Sequence, residues 1–173
     1  TAIPDHRPFE ITTLRTDAET DGRHAQVRYT TDWAEDAARR DFTINALSVD
    51  PDGTIYDYVD GLADLHAGRV RFIGDPGERI AEDHLRILRF FRFQAIYAAG
   101  EPDPAALEAC LNASSKVGEL SGERIWQELS RILNVPEPGK VFTLMEDCRV
   151  LRVLFPVGRS SDRLQALAAL EGM

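Results

Sequence analysis

The sequence predicts an α+β fold, in which a strand-rich first part is followed by an all-helical second part. Short runs with period-two alternation, separated by turn residues, occupy the chain as far as residue 75. From Pro76 onward, apolar residues instead recur at helical spacing. A length of 173 residues suffices for one domain or two small ones. We therefore divide the chain into residues 1–75, with a small sheet, and residues 76–173, which are helical.

The strand-like segments share β-branched or aromatic residues and flanking turn signals. They are residues 9–15 (FEITTLR), 46–49, 54–58 and 70–73. The second and third segments flank the turn sequence Asp50-Pro51-Asp52-Gly53, which predicts a hairpin. Residues 17–32 are polar and predict a loop.

Helices are predicted among these strands and throughout the second part. Residues 33–40 have helical spacing, and residues 61–66 predict a short helix that ends at Gly68 in a left-handed conformation. After Pro76, breaks between helices are expected at residues 100–104, 116–122, 134–139 and 156–158. Two cysteines in this part, Cys110 and Cys148, have no Cys or His at metal-binding spacing, so we predict buried thiols.

The composition narrows the classes of protein to consider. With 43% hydrophobic and 28% charged residues, the chain is typical of a globular protein. No apolar run approaches the roughly 18 residues of a membrane span, and we predict a cytoplasmic location. A formal net charge of −9 argues by itself against nucleic-acid binding, because nucleic-acid-binding faces are usually basic. All but Lys116 and Lys140 of the 20 basic residues are arginines, whose planar forks suit phosphates and base edges; codon bias is the alternative explanation.

The most informative stretch is residues 82–99 (EDHLRILRFFRFQAIYAA), which we predict to form one helix. At 100° per residue, one face of it carries a carboxylate, a guanidinium and three aromatic rings: Asp83, Arg86, Phe90, Phe93 and Tyr97. Most of the remaining surface is apolar, so the helix is expected to be buried. Arg86, Arg89 and Arg92 outnumber the nearby carboxylates, which predicts unpaired positive charge that several anionic groups, such as a triphosphate, would fit. The alternative is a salt bridge between Asp83 and Arg86 within the helix.

The pairing of a carboxylate with a guanidinium also has a use in base recognition. A carboxylate only accepts hydrogen bonds and an arginine only donates them. Adenine and cytosine present an amino donor beside a ring-nitrogen acceptor, whereas guanine and uracil present the reverse order. Fixed Asp83 and Arg86 side chains would therefore accept the first two bases and reject the others, because a wrong base leaves buried polar groups unpaired.

Upstream, residues 39–47 (RRDFTINAL) join two arginines and an aspartate to the start of a strand. Arg40 is a candidate for binding phosphate and Asp41 for binding a ribose hydroxyl, while Asn45 can hold the turn by bonding to the backbone. The alternative is that Arg39 and Arg40 cap the preceding helix and Asp41 forms an Asx turn.

Four motifs occur in a fixed order: RRDFTINAL, DGLADL at residues 60–65, EDHLRILRFFRF at 82–93 and SGERIWQEL at 121–129. This set resembles that of the bacterial tRNA nucleotidyltransferase and poly(A) polymerase family. The resemblance implies the C-terminal part of a polymerase-β-like palm with a small sheet, followed by a helical neck and body. It also implies Mg²⁺-dependent, template-free addition of CMP and AMP, from CTP and ATP, to a tRNA 3′ end with release of pyrophosphate. Poly(A) polymerase, which uses ATP alone, is the nearest alternative within the family.

The resemblance assigns roles to individual residues. It implies nucleotide binding by Arg40, Asp41 and Asn45, base reading by Asp83 and Arg86, and contacts of Arg89 and Arg92 that hold this pair and the triphosphate. It also implies a hinge at residues 60–65, and a brace of the neck by Glu123 and Arg124 on a helix capped by Ser121. Basic residues towards the end of the chain are either solvated or contact an RNA backbone: Lys140, Arg149, Arg152, Arg159 and Arg163.

One expected feature of the family is missing from the sequence. Its two metal ions need a close carboxylate pair after a Gly-Gly turn, and the sequence contains no Gly-Gly. Asp50 and Asp52 have suitable spacing, but they belong to the predicted hairpin tip. We therefore expect the pair before Thr1, with Glu10 as a further catalytic and metal-binding carboxylate or an outward-facing strand residue. On this basis the 173-residue chain alone should be inactive, and a non-catalytic module whose arginines form an internal ion network is the second hypothesis.

Overall fold

A computed structural model describes residues 11–17 and 27–156 of the chain. Two small two-stranded sheets precede a mostly helical region, which confirms the predicted α+β class. The elements in chain order are β1 (Arg15–Asp17), β2 (Val27–Tyr29), α1 (Trp33–Ala38), β3 (Ser48–Val49), β4 (Ile55–Tyr56), α2 (Gly61–His66), α3 (Pro76–Glu82), α4 (Leu85–Tyr97), α5 (Pro104–Asn112), α6 (Gly122–Leu133), α7 (Pro138–Asp147) and α8 (Val150–Leu154). Short 3₁₀ turns cover Thr43–Asn45 and Ser114–Glu119.

The strands follow the sequence in part. The predicted hairpin is confirmed, because β3 pairs antiparallel with β4 across the turn at Gly53. The polar loop predicted for residues 17–32 is wrong where β2 lies, since β2 pairs antiparallel with β1 and Arg15 lies opposite Tyr29. Residues 70–73 make only a single bridge, between Phe72 and Phe42. Their aromatic and β-branched residues serve the core rather than a longer sheet, as Phe72 is 3% exposed.

The helix predicted over residues 82–99 is interrupted at Asp83, and this corrects the sequence-based prediction. α3 ends at Glu82, and Asp83 is extended, with φ −152° and ψ 108°. Its Oδ1 atom accepts a hydrogen bond from the backbone N–H of Leu85 at 3.0 Å. Aspartate commonly makes such bonds at helix starts, where backbone donors lack an intrahelical partner. Asp83 therefore marks the junction of α3 and α4 rather than one face of a continuous helix.

Helix α4 forms the centre of the hydrophobic core, as its apolar surface predicts. Its Phe90 and Phe93 rings pack against Phe42 and Phe72, with the centroids of Phe42 and Phe93 4.8 Å apart and those of Phe72 and Phe90 5.7 Å apart. Phe90 and Phe93 are core residues and do not share an open face with Asp83, while Tyr97 is 46% exposed. The core thus fixes residues 41–43 against α4.

The burial predicted for the two cysteines is confirmed. Cys110 and Cys148 are free, buried thiols, and burial raises the pKa of both. This agrees with their predicted role as small apolar residues. Among the helices in residues 27–156, none has the length and apolar character needed to cross a membrane.

Helix α2 is held to the preceding turn by a buried carboxylate. Asp64 is fully buried and accepts hydrogen bonds from Thr43 Oγ1 at 2.7 Å, Arg69 Nε at 2.8 Å and Arg71 Nε at 2.9 Å. At the helix start, Gly61 lies so close to Thr43 that a Cβ atom there would stand 2.2 Å from the Thr43 carbonyl oxygen. The predicted end of this helix is confirmed, with Gly68 at φ +60°.

We expect Gly68→Ala to destabilise the chain more than Gly53→Ala, although both glycines have positive φ. At Gly53 nothing lies within 4 Å of an added Cβ, so the cost is the left-handed backbone alone, about 1 kcal/mol. At Gly68 the Cβ would also stand 2.8 Å from the backbone nitrogen of Ala99, which adds at least about 1 kcal/mol. Urea unfolding of both variants measures this difference, and equal losses would contradict the close approach.

We expect Asp64→Asn to lower the free energy of unfolding by about 1–3 kcal/mol at pH 7, because three donors lose their charged acceptor. Burial alone would raise the pKa of Asp64, but the bonds from Thr43, Arg71 and Arg69 lower it below its ordinary value of 3.8. The charged carboxylate therefore stabilises the fold above pH 3.8, and this contribution is lost as the pH falls through the folded-state pKa.

Urea unfolding of the wild type and Asp64→Asn from pH 7 to acid measures this dependence. The gap between the two should narrow below pH 3.8. Asp52→Asn, the same change at an exposed hairpin residue, is the control and should leave stability within about 0.5 kcal/mol of wild type. A gap for Asp64→Asn that stays constant into acid would show that the carboxylate charge contributes nothing.

Candidate functional site

Arg39 and Arg40, which directly precede Asp41, bind an aspartate of α1. Asp36, which is 2% exposed, accepts hydrogen bonds from Arg39 Nη2 at 2.7 Å and Arg40 Nη2 at 3.0 Å. Arg40 also donates through Nη1 to the carbonyl oxygen of Asn45 at 3.1 Å. Burial alone would raise the pKa of Asp36, but bonds from Arg39, the Arg15 backbone and Arg40 lower it. The helix-capping alternative is confirmed for the position of Arg39, which is the C-cap residue of α1, but both guanidinium groups bind the Asp36 side chain.

Asp41 lies at the centre of a second polar cluster and is 5% exposed. Its Oδ1 atom accepts from the Phe42 backbone at 3.1 Å and from Asn45 Nδ2 at 2.9 Å, and its Oδ2 atom accepts from Arg89 Nε at 2.5 Å. Asn45 thus holds the turn through a carboxylate, not through the backbone as predicted. Burial alone would raise the pKa of Asp41, but Arg89, Asn45 and the Phe42 N–H together lower it. Asp41 is therefore an ionised acceptor.

Asp83 pairs with α6 and not with Arg86. Arg124 Nη2 donates to Asp83 Oδ2 at 2.8 Å and to Oδ1 at 3.1 Å. The Asp83 side chain is 38% exposed and that of Arg124 is 45% exposed. Ser121 caps α6 as predicted, accepting from the Arg124 backbone at 3.4 Å. Arg124 therefore joins α6 to the junction of α3 and α4, whereas the Glu123 carboxylate accepts a hydrogen bond from Gln127 of its own helix.

Arg86 is bound within the α3–α4 unit. Its Nη1 atom donates to the carbonyl oxygen of Arg79 at 2.7 Å and to the Glu82 carboxylate. Arg79 also donates to Glu82, at 3.1 Å. Burial alone would raise the pKa of Glu82, but the bonds from Arg86 and Arg79 lower it. The alternative of an Asp83–Arg86 salt bridge is wrong, because Glu82 accepts from Arg86 at spacing i,i+4.

Arg92 completes the arginine row of α4. It donates through Nε to Glu128 Oε2 of α6 at 2.5 Å, and both side chains are nearly buried, at 11% and 5% exposed. Its guanidinium also lies over the Phe93 ring, 4.6 Å from the centroid. The predicted unpaired positive charge is therefore wrong, since each arginine of α4 binds a carboxylate.

Three of the carboxylates that bind these arginines, Asp36, Glu82 and Glu128, were not predicted as site residues, whereas Asp41, the partner of Arg89, was. Glu82 and Glu128 lie inside the EDHLRILRFFRF and SGERIWQEL motifs, but the motifs assign neither of them a role. Asp36 carried a detectable signal, because it precedes Arg39 and Arg40 at spacings i,i+3 and i,i+4 on a predicted helix. Glu128 carried none, since it lies 36 residues from Arg92.

The described residues do not form a metal site. Within residues 11–17 and 27–156, no group of three or more His, Cys, Asp or Glu side chains could hold an ion. Asp50 accepts from the backbone of Asp52 and Thr54 and from the Tyr56 hydroxyl, which is the predicted hairpin-tip arrangement. Glu10 lies outside the described residues. The residues described here therefore do not fit the metal centre that the resemblance implies.

Two protein-family models match the chain. Residues 1–71 match the "Poly A polymerase head domain", and residues 101–160 match the "Probable RNA and SrmB-binding site of polymerase A". The first covers the RRDFTINAL and DGLADL motifs, and the second covers α5 to α8 with Arg124 and Glu128. The two matches thus include Asp41 and the α6 partners of α4.

Known proteins and structures agree with these matches. The chain is 50% identical over 139 residues to "CCA tRNA nucleotidyltransferase 1, mitochondrial" of Danio rerio. The aligned region covers 79% of this chain and 32% of that protein. The chain is 36% identical over 163 residues to the "CCA-adding enzyme" of Streptococcus suis, or 93% of this chain and 40% of the relative.

Its fold is similar to the crystal structure of the Bacillus stearothermophilus CCA-adding enzyme in complex with CTP. The TM-score is 0.79 at 27% sequence identity, over 96% of this chain and 40% of that one. The chain therefore spans well under half of the length of the proteins that it matches. With both family models and these relatives in agreement, the chain belongs to the CCA tRNA nucleotidyltransferase and poly(A) polymerase family, of which it carries head and RNA-binding parts.

Proposed function

We propose that this chain is part of a CCA-adding tRNA nucleotidyltransferase. The reaction joins CMP and AMP, from CTP and ATP, to the 3′ end of tRNA without a nucleic-acid template and releases pyrophosphate. The observation that carries the proposal is the agreement of sequence and fold with CCA-adding enzymes over most of the chain, including a structure that holds CTP. The two-part division at residue 75 and the cytoplasmic location belong to the same proposal.

The proposed nucleotide-binding residues lie in three places: in the RRDFTINAL motif, at the junction of α3 and α4, and on α4 itself. Residues within this set or outside it hold three of its members: Asp36 holds Arg40, Asn45 holds Asp41 and Glu82 holds Arg86. Side chains held in this way lose little further entropy when a ligand binds, which favours selective recognition. The proposed set is Arg40, Asp41, Asn45, Asp83, Arg86, Arg89 and Arg92.

Base selection is proposed to rest on Asp83 and Arg86. Asp83 is fixed by the Leu85 backbone and Arg124, and is still 38% exposed, so its carboxylate oxygens can accept from the amino group of cytosine or adenine. Arg86 supplies the donor for the ring nitrogen. Uracil and guanine would present a carbonyl to the carboxylate and an N–H to the guanidinium. Both contacts would be repulsive or unpaired.

The second step of the proposal concerns the metal. We propose Mg²⁺, with Glu10 as one ligand and a carboxylate pair N-terminal to Thr1 as the others. Hard cations of this kind prefer carboxylate oxygens. Such an ion would supply Lewis-acid chemistry for phosphoryl transfer, and Glu10 would be one of the residues that hold it.

A polypeptide in which the expected metal-binding segment precedes this sequence should add both nucleotides to a tRNA that lacks its terminal CCA. The measurement is incorporation of labelled CTP and labelled ATP, supplied separately and together with Mg²⁺. We expect CMP incorporation with CTP alone, and ATP incorporation that depends on prior C addition. The 173-residue chain alone is the control and should incorporate neither nucleotide.

Two outcomes would contradict the proposal. Incorporation of ATP alone, without any use of CTP, would assign the chain to the poly(A) polymerase branch of the family. A lack of both activities, with a folded polypeptide and intact tRNA, would favour a non-catalytic module. In that module the ion pairs of α4 would have a structural role only.

In the same polypeptide, Arg86→Ala should weaken binding of both CTP and ATP by about tenfold or more, because a buried donor to the base is lost. The measurement is equilibrium titration of each nucleotide, together with the melting temperature. Arg131→Ala is the matched control, since the Arg131 side chain is 60% exposed and its Nη1 atom lies 3.7 Å from Glu128 Oε1, beyond hydrogen-bond distance. We expect Arg131→Ala to leave nucleotide affinity unchanged.

A second variant separates base reading from structural support. Glu82→Gln removes the charge that holds Arg86 but keeps the arginine, so it should weaken binding less than Arg86→Ala does. If Arg86→Ala lowers the melting temperature and leaves both affinities at the wild-type value, Arg86 has only a structural role and the base-reading proposal fails.

A further inference from the structure

An open pocket of about 450 Å³ lies where the start of α1 meets the β3–β4 hairpin. Three aromatic side chains that line it are exposed: Trp33 by 52%, Tyr56 by 44% and Tyr58 by 43%. Tyr56 lies opposite Ser48 in the hairpin, and a serine side chain is too small to cover the ring. The aromatic rings of this pocket are therefore accessible to a ligand.

A carboxylate, that of Asp50, lines the same pocket. Its Oδ1 atom accepts hydrogen bonds from the backbone N–H groups of Asp52 at 3.0 Å and Thr54 at 2.9 Å, and its Oδ2 atom accepts one from the Tyr56 hydroxyl at 3.2 Å. These bonds hold the carboxylate beside the rings. An ionised carboxylate can accept about four hydrogen bonds, so Asp50 keeps acceptor capacity for a further donor.

The chain around the pocket is strongly acidic. Residues 32–60 contain eight carboxylates and two arginines, and both arginines bind Asp36. Three exposed carboxylates directly adjoin lining residues in the sequence: Asp32, Asp52 and Asp57. A negative surface repels RNA phosphates, and a chain of net charge −9 also repels a second copy of itself. The charge of this surface therefore favours a cationic partner.

We propose that this pocket binds an arginine side chain from a basic segment of a partner protein. The guanidinium would lie against the rings of Trp33, Tyr56 and Tyr58, whose faces attract a cation. Asp50 would accept one of its N–H groups in a charge-assisted hydrogen bond. Arginine suits both contacts, because its planar group stacks on aromatic rings and carries several donors. The lining residues are distinct from the proposed nucleotide-binding residues, and this proposal does not rest on nucleotide addition.

The intrinsic fluorescence of Trp33 tests the proposal in the full 173-residue chain. Trp33 and Trp126 are the two tryptophans, so Trp126→Phe leaves Trp33 as the sole reporter. The probe is the peptide acetyl-Gly-Arg-Gly-Arg-Gly-amide, and its control carries citrulline, an uncharged isostere, in place of each arginine. We expect a saturable change in the Trp33 emission and an affinity for the arginine peptide at least about tenfold above that for the citrulline peptide.

Variants of Tyr58 separate recognition by the ring from support of the fold. Tyr58→Leu should weaken binding of the arginine peptide about fivefold because the aromatic face is lost, whereas Tyr58→Phe keeps that face and should bind as the parent does. Tyr97→Leu, the same replacement at an α4 residue that is 46% exposed and outside the pocket, is the matched control and should leave the affinity unchanged. Far-UV circular dichroism checks that each variant is folded.

Several results would overturn the proposal. If the arginine peptide does not bind, or binds no more tightly than the citrulline peptide, the pocket does not recognise a guanidinium. If Tyr58→Leu binds the arginine peptide as the parent does, the ring makes no contact with it. Tighter binding of single-stranded oligouridylate than of the peptide would assign the pocket to RNA, and tighter binding of spermine would assign it to a small polyamine.

Discussion

The pairing of the α4 arginines with carboxylates from three separate segments is the constraint on which the rest of the structure depends. α4 is apolar over most of its surface and lies at the centre of the core, so its charges cannot all reach water. Arg86 binds Glu82 of α3, Arg89 binds Asp41 of the turn before β3, and Arg92 binds Glu128 of α6. Removing one member of a buried pair typically costs about 3–5 kcal/mol, and the nearly buried Arg92–Glu128 pair is of this kind. The pairs therefore fix which segments can surround α4.

These pairs explain how one helix organises both parts of the chain. The Arg89–Asp41 contact joins α4 to the RRDFTINAL motif across 48 residues, and the packing of Phe42 against Phe93 supports it through the core. Asp64 then holds Thr43 of the same motif to α2. On the other side, the Arg92–Glu128 and Arg124–Asp83 contacts join α4 and its start to α6. Displacement of α4 would therefore disturb the motifs on both sides of it.

The sequence predicted local features well and long-range ion pairs poorly. The hairpin at Asp50–Gly53, the α2 helix ending at Gly68 and the Ser121 cap were confirmed, because each depends on residues within a few positions of one another. The break at Asp83 was missed because the apolar periodicity of α4 extends back into α3, while the signal for the break is one hydrogen bond to Leu85. The Arg92–Glu128 contact could not be predicted, since periodicity within one helix contains no information about its neighbours.

The break at Asp83 also bears on how a carboxylate could distinguish bases. In a continuous helix, the orientation of the Asp83 side chain would depend on its rotamer preference and on a neighbouring arginine of the same helix. At the junction of α3 and α4, the Leu85 N–H and the Arg124 guanidinium together fix both carboxylate oxygens. Arg86 is fixed separately, by Glu82 and the Arg79 carbonyl. The carboxylate and the guanidinium are therefore fixed independently of each other, and the proposed recognition by hydrogen-bond polarity depends on both being fixed.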